Sequence, residues 1–153
     1  MAGFFDGEGY PAIRRIRPRH QYNPCLLPGV PISNTFRPVL EFFLTEYGGC
    51  IYSNGNEKHE GWAPGFFWNC PVSSIRRFLE DVQPYLKVKH QQAAILLEFM
   101  KLLRGPPGYG KRLSPTELAE RERLWWELHQ LKTKAKKLGH FNKNFKEALV
   151  AIA

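Results

Sequence analysis

The pattern of apolar and polar residues predicts strands in the first half of the chain and long helices in the second. A short apolar run at the N-terminus, AGFFDGEG, ends in acids and glycines. Two extended stretches follow at residues 10–19 and 25–33, where prolines disfavour helix. Residues 33–49 then have helical spacing, with Ser33 or Asn34 as the predicted N-cap and two glycines at the end.

The remaining segments predict one hairpin and three helices. CIYSN and FFWNC are short apolar stretches on either side of a polar loop, a pattern typical of a hairpin. Helical spacing then covers residues 71–83 and 86–103. SPTE at residues 114–117 is a capping box, and it predicts a helix that ends at Gly139. Trp125 and Trp126 lie at helical spacing from apolar residues in this helix and are predicted to be core residues.

The order of elements is helix, two strands, helix, two strands and then helices. This order predicts an α+β fold, with a four-stranded antiparallel sheet packed on helices. Residues 1–104 would form this core, and residues 105–153 would be a basic helical segment packed against it. The GPPGYG sequence at residues 105–110 is the clearest break between the two parts.

The charge of the chain favours a polyanionic partner, although basic surfaces also occur in proteins without one. The 153 residues carry a net charge of +8, with a pI near 9.6. Residues 10–40 contain five arginines and no acid, and residues 101–153 contain twelve basic residues against five acids. The predicted sheet would therefore carry arginines on the face that the helices leave open.

The cysteines and the hydropathy exclude several classes of protein. Cys25, Cys50 and Cys70 are odd in number and lack the spacing of a zinc site. They are typical of reduced residues in an intracellular protein. The chain has no signal peptide and no apolar run long enough to cross a bilayer. A bacterial or phage-infected cytoplasm, or an organelle, is therefore the expected location, and secretion is not expected.

The first segment places two acids where a helix ends, and this position is electrostatically unfavourable. A helix C-terminus carries partial negative charge and unpaired carbonyl groups, so Asp6 and Glu8 are repelled there. A bound cation reverses this penalty, because carboxylates and carbonyl oxygens are ligands of Mg²⁺ or Ca²⁺. The alternative is a helix C-cap with Gly7 or Gly9 in the left-handed conformation and two solvated acids.

The same segment, MAGFFDGEG, resembles the nine-residue signature of the LAGLIDADG homing endonucleases, with Met1 in the place of the first leucine. Further stretches resemble this family in the expected order, and together they cover nearly the whole chain. They are ISNTFRPVLEFF (32–43), FFWNCPVSSIRRFL (66–79), QPYLKVKHQQAAILLEF (83–99) and LWWELHQLKTKAKKLG (124–139).

The resemblance implies a homing-endonuclease-like fold of ααββαββα-type order. One motif per chain implies a homodimer in which the two motif helices pack together and the sheets form a DNA-binding saddle. Ala2, Gly3 and Gly7 are small residues at helical spacing and would form this dimer interface. Because the motif begins at Met1, the dimer helix is expected to be short.

The resemblance also implies the catalytic residues. Glu8 would bind the metal, with the Gly7 carbonyl beside it, while Asp6 would help to hold the helix end. Lys89 matches a lysine that organises the attacking water near the cleaved phosphate. A polar residue before the second helix often helps, and Asn34 or Ser33 is the candidate here. The cofactor would be Mg²⁺, for which Mn²⁺ or Ca²⁺ could substitute in binding.

DNA would be contacted by the sheet and by residues near the active site. Arginine suits guanine edges and phosphates, asparagine suits adenine, and a β-ribbon can enter the major groove. For a single arginine, a phosphate contact is more common than base reading. The predicted DNA-binding residues are Tyr10, Ala12, Arg14, Arg17, Arg19, Asn54, Asn56, Lys58, Asn69 and Lys87.

The predicted function is a site-specific endonuclease of the homing type, which cuts both strands of a long, near-palindromic DNA target. One alternative is a non-cleaving nucleic-acid binder of the same fold, such as a maturase that binds intron RNA, or a regulator. Another alternative is a decayed copy that is truncated at its N-terminus. A third is a basic α+β domain with no nucleic-acid partner, which would show no salt-dependent DNA binding.

Overall fold

The computed structural model describes residues 1–16, 25–53, 63–103 and 113–139, with side chains described up to Lys132 in the last range. These residues form five α-helices, five strands and one turn of 3₁₀-helix at Gln83–Tyr85. In chain order the elements are α1 (Ala2–Glu8), β1 (Ala12–Ile16), β2 (Cys25–Gly29), β3 (Pro31–Asn34), α2 (Arg37–Tyr47), β4 (Cys50–Ser53), β5 (Phe66–Asn69), α3 (Val72–Val82), α4 (His90–Lys101) and α5 (Pro115–Gly139).

The strands form one antiparallel surface, although its second strand is interrupted. β1 pairs with β2 so that Ala12 faces Gly29, and the same register places Gly9 opposite Ile32 in β3. β5 pairs with β3 on one side and with β4 on the other. The Cys70 amide donates to the Val30 carbonyl at 3.1 Å, which continues the β3–β5 pairing past the interruption. The order across the sheet is therefore β1, β2 with β3, β5 and β4.

Prolines explain the interruption. Pro28 and Pro31 flank the break in the second strand, and in the β1 register Pro11 lies opposite Val30. A proline has no amide hydrogen to donate, so each of these positions lacks one hydrogen bond that an uninterrupted strand pairing could form. The predicted α+β fold with a four-stranded antiparallel sheet is confirmed, with its second strand divided into β2 and β3.

An aromatic core connects the sheet to the helices. Trp68 of β5, Phe43 of α2 and Phe78 of α3 are buried together with Phe5 of α1. The Phe5 and Phe78 rings meet edge to face at 5.0 Å, and the Phe43 and Trp68 rings lie 5.4 Å apart. Full burial of each such side chain contributes about 2 to 3 kcal/mol relative to exposure. The core therefore fixes α1, and its acidic end, against the sheet.

The ends of α2 illustrate one confirmed prediction and one wrong one. Gly48 and Gly49 end the helix as predicted, with φ of 72° and 101°. A side chain at Gly49 would collide with the Asn69 carbonyl, so this turn requires glycine. The helix begins at Arg37 with Phe36 as its N-cap, so the predicted capping by Ser33 or Asn34 is wrong. Both of those residues belong to β3.

Helix α5 begins at its predicted capping box and packs on the core. Ser114 and Glu117 exchange side chain to backbone hydrogen bonds of 3.0 and 3.2 Å, as a capping box requires. Leu124 and Leu128 are buried. Trp125 is half-buried, but the prediction for Trp126 is wrong, because 53% of its surface is exposed.

Arg15 of β1 connects the sheet to α5. Its guanidinium lies 3.2 Å from the Glu122 carboxylate and 5.4 Å from the centre of the Trp125 ring. This arginine is therefore directed at α5 and not at the open face of the sheet. Among the described residues, no helix is long and apolar enough to span a membrane.

Candidate active site and nucleic-acid interface

The candidate active site begins at helix α1, which runs directly into the sheet. The Gly9 amide donates to the Phe5 carbonyl at 3.1 Å, and Gly9 has an extended backbone with φ of −96°. Only Gly48 and Gly49 have positive φ among the described residues, so the alternative of a left-handed cap at Gly7 or Gly9 is wrong. Gly9 is needed for another reason: a side chain there would overlap the Phe5 ring.

Asp6 connects the end of α1 to the start of α4. Its carboxylate accepts hydrogen bonds from the backbone amides of Lys87 at 2.7 Å, Val88 at 3.3 Å and Lys89 at 3.0 Å. These amides come immediately before α4 and have no partner within the helix. The predicted structural role of Asp6 is confirmed, but the helix that it caps is α4 and not its own.

The surroundings of Asp6 favour its ionised form. Partial burial alone would raise the pKa of the carboxyl group, but the three amide hydrogen bonds and the nearby Lys89 charge together lower the pKa below its ordinary value of 3.8. The carboxylate therefore stabilises the fold fully above that ordinary value. The stabilisation is lost as the pH falls through the lowered pKa.

We expect replacement of Asp6 by asparagine to lower the free energy of unfolding by about 1 kcal/mol at neutral pH, roughly the difference between a hydrogen bond to a charged acceptor and one to a neutral acceptor. The amide has one acceptor oxygen where the carboxylate has two, so it cannot hold all three backbone amides equally well. Urea unfolding of both proteins measures the effect. The difference should disappear in strong acid, where Asp6 itself is protonated, and a difference that is independent of pH would contradict this role.

Lys89 also links the start of α4 to the end of α1, through its side chain. Its Nζ donates to the Phe5 carbonyl at 3.0 Å and to the Asp6 carbonyl, and it lies 5.9 Å from the centre of the Phe5 ring. Desolvation lowers the pKa of Lys89, although the charges of Asp6 and Glu8 oppose this effect. The positive charge of the ammonium group stabilises the C-terminal end of α1, where the partial negative charge of the helix and the two acids repel each other.

Glu8 is the exposed acid at this site. Within the described residues its carboxylate makes no hydrogen bond and no ion pair, in contrast to Asp6. Lys89 uses the Phe5 and Asp6 carbonyls, and the Gly7 carbonyl comes one residue later at the helix end. Glu8 and Gly7 together offer the oxygen ligands that Mg²⁺ and Ca²⁺ prefer. Among the described residues, no group of three or more His, Cys, Asp or Glu side chains is placed so that it could hold a metal ion.

The three small residues of α1 differ in their surroundings. Gly3 and Gly7 are exposed, and an added Cβ at either position would meet no atom within 4 Å. Ala2 is only 9% exposed and belongs to the core of its own chain. The open surface of α1 available to a second helix is therefore formed by Gly3 and Gly7. Their role in a dimer, and that of Ala2, stays a prediction.

Asn34 lies at the end of β3, where its side chain shapes the turn into α2. Its Oδ1 accepts the Phe36 amide at 2.8 Å. Ser33 precedes it and is exposed. The assignment of either residue to catalysis stays a prediction.

The open face of the sheet carries part of the predicted DNA-contact set. Tyr10 and Arg14 are exposed, and Arg14 donates to the Asn69 amide oxygen at 3.2 Å. Ala12 lies between them in sequence and begins β1, but it is only 4% exposed, so its side chain offers DNA almost no surface. Lys87 is exposed beside the active site on the turn that Asp6 holds. Arg17, Arg19, Asn54, Asn56 and Lys58 lie outside the described residues.

Similarity to solved structures identifies the fold. I-CvuI, a homing endonuclease solved in complex with DNA, matches 85% of this chain and 78% of its own, with 22% identity and a TM-score of 0.64. The archaeal intron-encoded homing endonuclease I-Vdi141I, complexed with DNA, matches 85% of this chain and 80% of its own, with 20% identity and a TM-score of 0.68. The predicted homing-endonuclease-like fold is confirmed.

A third similarity concerns a longer chain. I-SmaMI, solved with an uncleaved DNA target and calcium ions, matches 84% of this chain but only 43% of its own, with 16% identity and a TM-score of 0.65. The present chain therefore corresponds in fold to less than half of that protein. No protein-family model matches the sequence, and no curated protein matches it.

Proposed function

We propose that two copies of this chain form a divalent-metal-dependent endonuclease that cuts both strands of a long, near-palindromic DNA site. The observation that carries this proposal is the exposed carboxylate of Glu8 at the end of a rigidly held helix. Asp6 and Lys89 fix that end against α4, and Phe5 fixes it in the core. The Glu8 carboxylate itself makes no hydrogen bond and no ion pair among the described residues.

The donor set fits Mg²⁺, which binds through one or two carboxylates and keeps several waters. When bound, the metal would supply charge neutralisation at the phosphate and an activated water. Glu8 and the Gly7 carbonyl would hold it from each copy. Lys89 is attached to the carbonyls immediately before these ligands, so it places a positive charge beside the site. This charge would favour the approach of a phosphate and orient its oxygens.

Dimer formation would complete the site. A single copy provides one exposed acid at α1, and two motif helices in contact would bring two Glu8 carboxylates together. Gly3 and Gly7 leave one stripe of the outer surface of α1 free of side chains, so another helix backbone could approach closely there. The steric reason for small residues at such a contact is general. A twofold dimer also explains a near-palindromic target, because the two half-sites would be read by identical surfaces.

DNA binding would use the open face of the sheet. It includes the exposed Tyr10 and Arg14 and the half-buried Asn69, and the whole chain has a net charge of +8. Phosphate neutralisation by such a surface makes binding strongly salt-dependent. The homing endonucleases I-CvuI and I-Vdi141I, which share this fold, were solved with DNA, and calcium was present with I-CvuI in one case.

The test is selection of bound DNA from a library of double-stranded sites in Ca²⁺, followed by addition of Mg²⁺ or EDTA. We expect selected sites to be near-palindromic and to be cut in both strands with Mg²⁺ only. The ends recovered by sequencing locate the cut. Sites that are tightly bound but remain intact in Mg²⁺ would overturn the enzymatic part of the proposal.

The second candidate is a nucleic-acid binder that does not cleave, including one that binds intron RNA. The contacts of Lys89 favour it, because two of the three ammonium hydrogens are directed at the Phe5 and Asp6 carbonyls. A lysine in that position is less free to reach a phosphate. Tight binding of DNA or structured RNA without cutting in Mg²⁺ would select this candidate.

A further inference from the structure

Arg14 and Asn69 form a connected pair across the open face of the sheet. Arg14 is on β1 and Asn69 is on β5, and the second strand lies between them. The Arg14 Nη2 donates to the Asn69 Oδ1 at 3.2 Å. The guanidinium crosses Gly29, where its Nε lies 3.3 Å from the position that a Cβ would occupy. The absence of a side chain at Gly29 gives the arginine room to reach β5.

The chemistry of this pair determines what it can offer a base. A guanidinium has donors only, so the amide atom that faces it must be the oxygen of Asn69. The contact uses one of the two lone pairs of this oxygen and directs the oxygen along the sheet toward β1, so the NH₂ group is the part of the amide left for DNA. Arg14 retains further N–H groups. Together the two side chains present mainly donors, because the one acceptor atom of the pair is directed at Arg14.

Among the bases, guanine matches a surface of donors. Its major-groove edge carries two acceptors, N7 and O6, whereas adenine presents an N7 acceptor beside an N6 donor. Asparagine reads adenine with its oxygen and its NH₂ group together, and here Arg14 holds the oxygen along the sheet and not toward the groove. The contact between the two side chains therefore changes what Asn69 can recognise.

We propose that Arg14 and Asn69 act as one specificity unit that selects guanine, and that Arg14 prevents Asn69 from reading adenine. This inference rests on the proposed function, because it requires DNA to lie in the sheet. It assigns one base preference in each half-site. The sequence alone favoured adenine for an asparagine, so the structure reverses the expectation for Asn69.

Binding selections with three proteins in Ca²⁺ test this unit without any need for cleavage. For the wild type we expect guanine at one pair of symmetry-related positions. In Arg14→Ala the Asn69 oxygen is released, and the preference at those positions should change to adenine by about tenfold, as one bidentate contact gives. In Asn69→Ala the freed arginine should retain guanine.

A further variant uses the gap at Gly29. Gly29→Val crowds the guanidinium away from Asn69 while both side chains stay in place, so it should also increase selection of adenine. This variant tests the unit even where Arg14→Ala folds poorly, which circular dichroism would detect. The backbone at Gly29 does not have positive φ, so valine is compatible with the strand.

The outcomes separate this inference from the proposed function. Absence of any sequence-selective, salt-dependent DNA binding by the wild type would overturn both the proposed function and the specificity unit. Selective binding by the wild type with no guanine at the positions that change in Arg14→Ala would overturn only the specificity unit. Loss of preference in Arg14→Ala and Gly29→Val without a gain of adenine would overturn it as well.

Discussion

Replacement of Glu8 by glutamine is expected to reduce DNA cleavage by at least about a hundredfold while DNA binding is retained. Even residues that only support a metal ligand typically change metal affinity or activity by ten- to a hundredfold, and Glu8 is the proposed ligand itself. Its side chain makes no hydrogen bond or ion pair within the described residues, so the neutral amide should leave the fold intact. Cleavage is measured on a site occupied equally by both proteins.

Glu80→Gln is the matched control for this experiment. Glu80 is an exposed acid on α3, and the same charge is removed there without altering the end of α1. We expect the control to cut DNA as the wild type does. Normal cleavage by Glu8→Gln would show that Glu8 is not a catalytic metal ligand. Loss of cleavage in both variants would point to an effect of net charge instead.

A leucine at Gly3 is expected to abolish dimer formation without harm to the single chain. An added Cβ at Gly3 meets no atom within 4 Å in the monomer, but it would occupy the space that a partner helix needs. Leucine is also a better helix former than glycine by about 0.8 kcal/mol. The variant should therefore fold normally, sediment as a monomer and lose double-strand cleavage. Analytical ultracentrifugation measures the change in mass.

Ala119→Leu provides the comparison, since Ala119 is an exposed residue of α5 and leucine adds surface there without touching α1. This control should sediment as the wild type does. A Gly3→Leu protein that remains dimeric would show that the open side of α1 is not the dimer interface. A dimeric control beside a monomeric Gly3→Leu protein would support it.

Local patterns were sufficient to predict most of the elements. The capping box at Ser114 and the glycines after α2 act through neighbouring residues, so their effects can be read from short stretches of sequence. The order of strands and helices followed from alternation and helical spacing. The predicted start of α2 was wrong because Asn34 belongs to a strand, in which it pairs with Phe66. Strand pairing is not visible in the local sequence pattern.

The contacts that define the site are long-range, and this explains why they were not predicted. Asp6 accepts the Lys87 amide across a separation of 81 residues, and Arg14 meets Asn69 across 55. The resemblance to a known signature indicated that Asp6, Glu8 and Lys89 belong together. It did not indicate that Asp6 caps α4. Helical spacing also could not show that the side of α5 occupied by Trp126 faces solvent.

The most direct test of the central claim is conversion of a supercoiled plasmid that carries one selected site. With Mg²⁺ the protein should convert the plasmid to the linear form, because the proposed dimer would cut both strands with its two Glu8 sites. With EDTA the plasmid should remain supercoiled, and with Ca²⁺ in place of Mg²⁺ it should remain supercoiled although the site is tightly bound. A plasmid that stays supercoiled in Mg²⁺ while the site is fully occupied would contradict the account.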